Sequence, residues 1–398
     1  MRKKSSILLS FMLVLALVLT ACSGQGGSNN NNPTTAPTGG ASAGLGAEVK
    51  IGAVLPMTGD VATFGKSSKQ GLDLLIEQYN ANGGINGSKI VLVVEDDENK
   101  PESGVAALQK LINNDKVVGV VGSVASKVTL AMAPVATQSK VPMVSSSSTN
   151  PGVTALAGNE YAFRACFIDP FQGTVIAKFA SETLKAKTAA VLYDVANDYT
   201  VGLAEFFTAA FEAAGGKVVS SQSYNTGDTD FNAQLTTIKP LNPDVLILTD
   251  YYQTVGLIAK QARNLGITGT FLGGDGWDSP DLVTIAGDSI EGGYFSNHYS
   301  SEDTSPEVTQ FLNDYKAKYN ETPDALAALA YDAGKMLLEA IKKANSTDGA
   351  AIVEALKATD MTSVTGTIKL DENRNPVKPA VMIQIKDGKQ AFASKVNP

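Results

Sequence analysis

From Glu48 to the carboxyl end of this 398-residue chain, short β-branched runs alternate with amphipathic stretches, and that alternation constrains the fold more than any other feature. Successive strands separated by a helix-length crossover lie parallel, so the pattern predicts βαβ units on mostly parallel sheets flanked by helices. Strands are expected at 49–55, 90–95, 117–121 and 142–145, with helices at 70–82, 102–113 and 129–139 between them. In the first helix Leu72, Leu75, Ile76 and Tyr79 recur at helical spacing, and Gly83-Gly84 supplies the stop. The alternation restarts after 161–165, with strands at 188–193, 217–223, 245–248 and 270–273. Near Asn297 it changes to three helical segments, 306–319, 325–344 and 349–358, followed by strands at 366–370 and 380–385. Such a tail could cover the first half with helices and return to complete the second. No short-period repeat is present, which argues against solenoids and propellers.

The amino terminus decides where the chain is delivered. Arg2, Lys3 and Lys4 precede an apolar stretch, Ile7 to Leu19, too short to span a bilayer, and Leu19-Thr20-Ala21-Cys22 closes it. Small residues directly before a cysteine resemble the bacterial lipobox, which implies export, cleavage before Cys22 and a lipid on its sulfur. The segment 23–47 is almost entirely Gly, Ser, Asn, Thr, Pro and Ala with almost nothing to bury, a composition that predicts a flexible tether. About 350 residues remain, more than one hydrophobic core usually serves, so two lobes are expected. Removing Arg2, Lys3 and Lys4 takes the net charge from −8 to −11, which argues against electrostatic binding of nucleic acid or an anionic membrane. With Cys22 lipidated, Cys166 is the sole remaining thiol, so no internal disulfide is expected.

Candidate binding residues fall where the predicted strands end. In open α/β sheets ligands bind beyond the carboxyl ends of strands, where loop hydroxyls and helix amino termini point. Ser126, after strand 117–121, offers a hydroxyl and an amide to a carboxylate; a plain N-cap is the alternative. Ser145 to Thr149, five consecutive hydroxyl residues after strand 142–145, would complete a cradle or form a solvated loop. Gly273-Gly274-Asp275-Gly276-Trp277 places a carboxylate suited to an ammonium group, and the one tryptophan, after strand 270–273; an ordinary turn is the alternative. Tyr199 and Tyr251 sit beyond two further strands, as cleft walls or rim packing.

Other motifs carry less. Gly59 to Ser67 nearly matches a phosphate-binding loop but has five residues, not four, before Gly-Lys-Ser, so a turn delivering Phe64 to a cleft is the better reading. Glu95 to Glu98 lacks calcium-loop spacing and reads as a solvated acidic turn. His298 is the single histidine and Cys166 lies in an apolar strand, so no nucleophile and base pair, histidine-type metal site or cofactor site stands out.

From Glu48 onward the chain resembles the solute-binding proteins of ABC importers with the type I periplasmic fold, closest to the Leu/Ile/Val-binding branch. The resemblance rests on Ile51 to Gly59, Asn82 to Gly87, Asp194 to Tyr199, Phe231 through Val245, and Gly273 to Trp277, in that order and spacing. It implies two α/β lobes joined by three hinge crossings near Phe167, Asn297 and Asp360. The parts would be a signal peptide (1–21), a lipidated linker (22–47), lobe 1 (48–167 plus 298–360) and lobe 2 (168–297 plus 361–398). It further implies a ligand α-carboxylate held by Ser126 and Thr149, and an ammonium met by Asp275 and the Ser147 carbonyl. Phe64, Tyr199 and Tyr251 would be walls, with Ser148 and Trp277 adjoining. Ala125 and Leu326 near the side-chain pocket would accept an aliphatic group.

The function so implied is that of a monomeric extracytoplasmic lipoprotein without enzymatic activity. It would close on an amino acid, branched-chain or otherwise aliphatic, and deliver it to a membrane permease driven by ATPase subunits. An aromatic acid, amide or polyamine ligand on the same fold, or a ligand-sensing role toward a signalling receptor, are the alternatives. Two departures from the family are visible: it has no first-lobe disulfide, and the shorter Asp275 stands where a glutamate is frequent.

Overall fold

A computed structural model describes residues 44–397. The expected signal segment, Cys22 and most of the linker lie outside these residues. The described chain opens with β1 (Glu48–Leu55), α1 (Ala62–Ala81), β2 (Lys89–Asp96), α2 (Pro101–Lys110), β3 (Val120–Gly122), α3 (Ser126–Gln138), β4 (Met143–Ser145), α4 (Gly152–Ala155) and β5 (Ala162–Arg164). These strands form one five-stranded sheet in the order β2-β1-β3-β4-β5, parallel throughout.

The second half repeats the scheme. After α5 (Asp169–Lys178) come β6 (Thr188–Asp194), α6 (Asp198–Ala213), β7 (Lys217–Tyr224), α7 (Asn232–Ile238), β8 (Val245–Leu248), α8 (Tyr252–Asn264), β9 (Thr270–Gly273), α9 (Asp281–Ala286) and β10 (Tyr294–Asn297). The tail supplies α10 (Pro306–Tyr319), α11 (Ala325–Ala344), α12 (Gly349–Lys357), the hairpin β11 (Asp360–Ser363) and β12 (Gly366–Lys369), then β13 (Ala380–Lys386) and β14 (Lys389–Val396). A seven-stranded sheet results, β14-β13-β10-β9-β8-β6-β7, parallel except for the antiparallel β10-β13-β14 edge. Strands buried on both faces read as continuous apolar runs, as Val245 to Leu248 does, with all four residues buried.

The tail does return as the pattern suggests. α11 crosses to the first sheet and packs on α1, and a Cβ added at Gly71 would lie 2.1 Å from the Ala327 carbonyl oxygen. Only glycine allows so close a helix crossing. The hairpin β11-β12 stays with this lobe, because buried Asp332 of α11 accepts the amides of Val364 (3.1 Å) and Thr365 (2.9 Å). The crossing expected near Asp360 therefore falls later, between Lys369 and Ala380, where the chain enters the seven-stranded sheet.

Two further expectations are corrected. α1 begins at Ala62, so Phe64 rides on the first turn of a helix rather than on a loop. α3 begins at Ser126, earlier than expected, with Ala125 at its N-cap and no side-chain cap bond, so Ser126 is not an N-cap.

Candidate functional site

The carboxyl ends of the parallel strands of both sheets face each other, and the loops that follow them meet. Lobe 1 contributes Phe64, Ser126 and Ser147; lobe 2 contributes Tyr199 from the start of α6, Tyr251 just before α8, and Asp275 after β9. These six, with Val124, Gly276 and Leu326, line one cavity of about 260 Å³, its mouth included. Its walls are aromatic: Tyr199 and Tyr251 stack with centroids 5.4 Å apart and planes 5° from parallel, and Phe64 meets Tyr251 edge-on at 5.8 Å. Because Phe64 and Tyr251 come from different lobes, the lobes are in contact around the cavity. Three polar contacts across the lobes agree: Thr63 Oγ1 donates to Asp281 (2.7 Å), the Tyr252 hydroxyl donates to Thr63 (3.1 Å), and Asn150 Nδ2 donates to the Asp198 carbonyl (3.0 Å).

Asp275 is the polar focus. Its Oδ1 accepts from Gln172 Nε2 (2.8 Å) and the Tyr199 hydroxyl (2.9 Å), and Oδ2 lies 2.9 Å from His298 Nε2. Burial lowers the pKa of His298, opposed by Asp275, and the ring stacks on Phe167 at 3.6 Å. A neutral imidazole that donates from Nε2 satisfies this geometry, and the Asp275 side chain is left with one accepting site for a ligand. The glycine before Asp275 is required: a Cβ at Gly274 would lie 2.5 Å from the Tyr199 hydroxyl oxygen and 3.0 Å from Gln172 Nε2.

The hydroxyl loops divide into structural and cavity-facing residues. Arg164, fully buried, donates to the carbonyls of Ser148 (2.6 Å) and Asn150 (2.9 Å) and so fixes the loop after β4. Ser145 donates to the Ser123 carbonyl (2.7 Å), and Ser148 hydrogen-bonds Thr129 (2.6 Å) and the Val124 carbonyl (3.0 Å). Ser126 Oγ accepts the Asn150 amide (3.2 Å) at the edge of the cavity. Thr149 lies just behind, buried, with its hydroxyl lacking a well-formed hydrogen bond; it is close enough to Asp169 to pull down a carboxyl that burial pushes up to about 8. Burial also pushes the Cys166 thiol up to about 12, which leaves it inert.

Of the nine expected binding residues, six line the cavity. Ser148 is turned into the lobe by its hydrogen bonds, and Thr149 stands behind the lining. Trp277 follows the lining residue Gly276 but does not itself line the cavity: its indole Nε1 donates to the Leu248 carbonyl (2.9 Å) and its ring packs on Phe295 in the lobe 2 core. The sequence does not single out Gln172 or His298 for binding. His298 had a signal, as the single histidine next to a predicted crossing; Gln172 had none. Among the described residues no hydroxyl or thiol is hydrogen-bonded to the His298 ring, and no cluster of three or more metal-ligating side chains occurs.

Two lobes of doubly wound sheet, meeting over a cavity with an acid in one lobe and hydroxyls in the other, define a two-lobed binding protein of the type I architecture. Residues 48–390 match the periplasmic binding protein family, and the chain belongs to it. A leucine-, isoleucine-, valine-, threonine- and alanine-binding protein of Pseudomonas aeruginosa is 34% identical over 325 residues, 81% of this chain and 86% of that protein. The crystal structure of a leucine-binding protein from Thermotoga maritima superposes with a TM-score of 0.84 at 40% identity, covering 88% of this chain and 99% of that one. A branched-chain amino acid transporter substrate-binding protein from Streptococcus pneumoniae, in complex with isoleucine, gives 0.83 at 34% identity, covering 88% and 100%.

Proposed function

We propose that this protein is an extracytoplasmic, lipid-anchored receptor that closes on an aliphatic, branched-chain amino acid and hands it to an ABC permease. The observation that carries the reading is Asp275, held by Gln172, Tyr199 and His298 with a free accepting site toward an aromatic-walled cavity. In this reading the ligand ammonium meets Asp275 and the Ser147 carbonyl. The carboxylate takes the Ser126 hydroxyl and the amino-terminal amides of α3, with Thr149 in support. Phe64, Tyr251 and Leu326 enclose the side chain. Closure completes the site because each lobe holds only part of it, and the closed shape is what the permease recognises. A lipid on Cys22 keeps the receptor near the permease, and it acts as a monomer without turnover of its ligand.

Similarity to relatives named for leucine, isoleucine and valine supports the ligand class. The test is a thermal-shift screen of the purified protein against the amino acids and a panel of aromatic acids, amides and polyamines. A ligand at a hundredfold its dissociation constant adds about 2.7 kcal/mol of stability, a readily measured shift. Leucine, isoleucine or valine should stand out; a shift only with ligands lacking an α-ammonium would overturn the assignment.

A further inference from the structure

A second space lies between the lobes, and the ring of Tyr251 stands between it and the cavity that Asp275 faces. Tyr251 belongs to the lining of that cavity and also to a second, larger and open-mouthed chamber, about 670 Å³ with the solvent at its mouth included. Lobe 1 contributes Asp60, Asn99 and Lys127 to its lining, and lobe 2 contributes Asp194, Asp228 and Asp250. The lobe 2 carboxylates are satisfied by neutral donors. Asp194 takes the Thr226 hydroxyl and the Ala196 amide (2.8 Å), Asp250 takes the Tyr224 hydroxyl and the Tyr251 amide (2.7 Å each), and Asp228 takes the Asn225 amide (2.8 Å). Neutral donors orient a carboxylate without cancelling its charge, so four aspartates face one lysine.

A separate observation points to a missing donor. Asn99 is 9% exposed, lines the same chamber from the opposite lobe, and its side-chain oxygen has no hydrogen-bond partner. A buried acceptor without a donor is unfavourable, and a donor-rich cation entering the chamber would relieve it. Acceptors therefore stand in both lobes, with Tyr251 between them and the smaller cavity. Tyr199 carries the contact to Asp275, Tyr251 stacks on it, and the residue that precedes Tyr251 in the chain is Asp250, on the wall of the larger chamber.

We infer that the chamber beyond Tyr251 receives the cationic end of an α-amino acid whose side chain ends in an amine, while the ligand's ammonium and carboxylate sit in the smaller cavity. This rests on the head-group reading proposed above and extends it to a second substrate class. A cation bound there touches both lobes and favours their closure.

The test is calorimetric titration of the purified full chain with leucine, norleucine, lysine and ornithine at low and high salt. Norleucine matches the lysine stem without its charge. Lysine or ornithine should bind at least about tenfold more tightly than norleucine at low salt, with the gap narrowing as salt screens the chamber. Asp228→Asn, at an exposed residue whose one side-chain bond is within its own turn, should narrow the same gap by about threefold or more and leave norleucine unchanged. If leucine binds but lysine and ornithine are no tighter than norleucine, or if the variant weakens all four alike, the cationic chamber is refuted and the head-group reading stands. If none of the four binds, the head-group reading itself is overturned, and the inference with it.

Discussion

Replacing Asp275 with asparagine tests the head-group chemistry directly. The wild-type carboxylate accepts three hydrogen bonds, two on Oδ1 and one on Oδ2, and the remaining accepting site is the one assigned to a ligand ammonium. In the variant Oδ1 can keep Tyr199 and Gln172, but Nδ2 now donates toward His298 Nε2. The imidazole must then move its proton to Nδ1, which is buried with no partner, so part of the cost falls on stability. The ligand loses a charge-assisted hydrogen bond in a site shielded from water, about 1.5 to 3 kcal/mol, which corresponds to about a 10- to 150-fold weaker Kd. Calorimetry with leucine and with 4-methylpentanoate, its analogue without the amino group, separates the two costs. Leucine should weaken by that factor while the analogue changes by less than about threefold. A leucine affinity within about threefold of wild type, or equal losses for both ligands, would refute the assignment of the ammonium to Asp275.

Three other perturbations read different parts of the structure. Thr63→Val removes the interlobe bonds to Asp281 and Tyr252 and should raise the ligand dissociation rate about fivefold by stopped-flow fluorescence, with little change in the association rate; an unchanged dissociation rate would mean the bonds do not hold the closed form. Gly274→Ala should push Tyr199 and Gln172 away from Asp275 and weaken leucine by at least about tenfold, and wild-type affinity would contradict the contact geometry. Asp169 titrates near 8 in the fold, where burial raises it, against about 4 in the unfolded chain, so the folded form keeps a proton that the unfolded chain releases. Its stabilising contribution is complete below about pH 4 and is lost as the pH rises through about 8. Melting temperatures of wild type and Asp169→Asn compared across that range should therefore converge or cross in favour of the variant at high pH; a constant difference would show that Asp169 does not titrate there.

The strand order was legible where periodicity is strong, and the ends of elements were less so. The first turns of α1 carry little helical signal because Gly65, Ser67 and Ser68 bury themselves without large apolar side chains: a Cβ at Gly65 would lie 2.1 Å from the Pro56 carbonyl oxygen, so this turn packs by being small. β14 is not legible in the sequence because its solvent-facing edge position permits Lys389, Gln390 and Lys395, and a polar strand carries little hydrophobic signal.

The sequence by itself determined the alternation of strands and helices, and with it two mostly parallel sheets and the loops at their carboxyl ends. Period and composition are local properties, and strand ends in such sheets bring ligand-facing loops together whatever their detail. That is why the loops carrying Ser126, Ser145 to Thr149, Tyr199, Tyr251 and Asp275 can be placed from the pattern, while the choice of Ser147 within its loop and the role of each residue come from the family resemblance. Which way a side chain turns within those loops is decided by packing. Trp277 follows the same strand as Asp275, yet its large ring is drawn into the core against Phe295 while the carboxylate is held toward the cavity. Gln172 lies 103 residues from Asp275 in the chain and His298 lies 23, and only the convergence of α5 and the end of β10 brings both within hydrogen-bonding distance of one carboxylate.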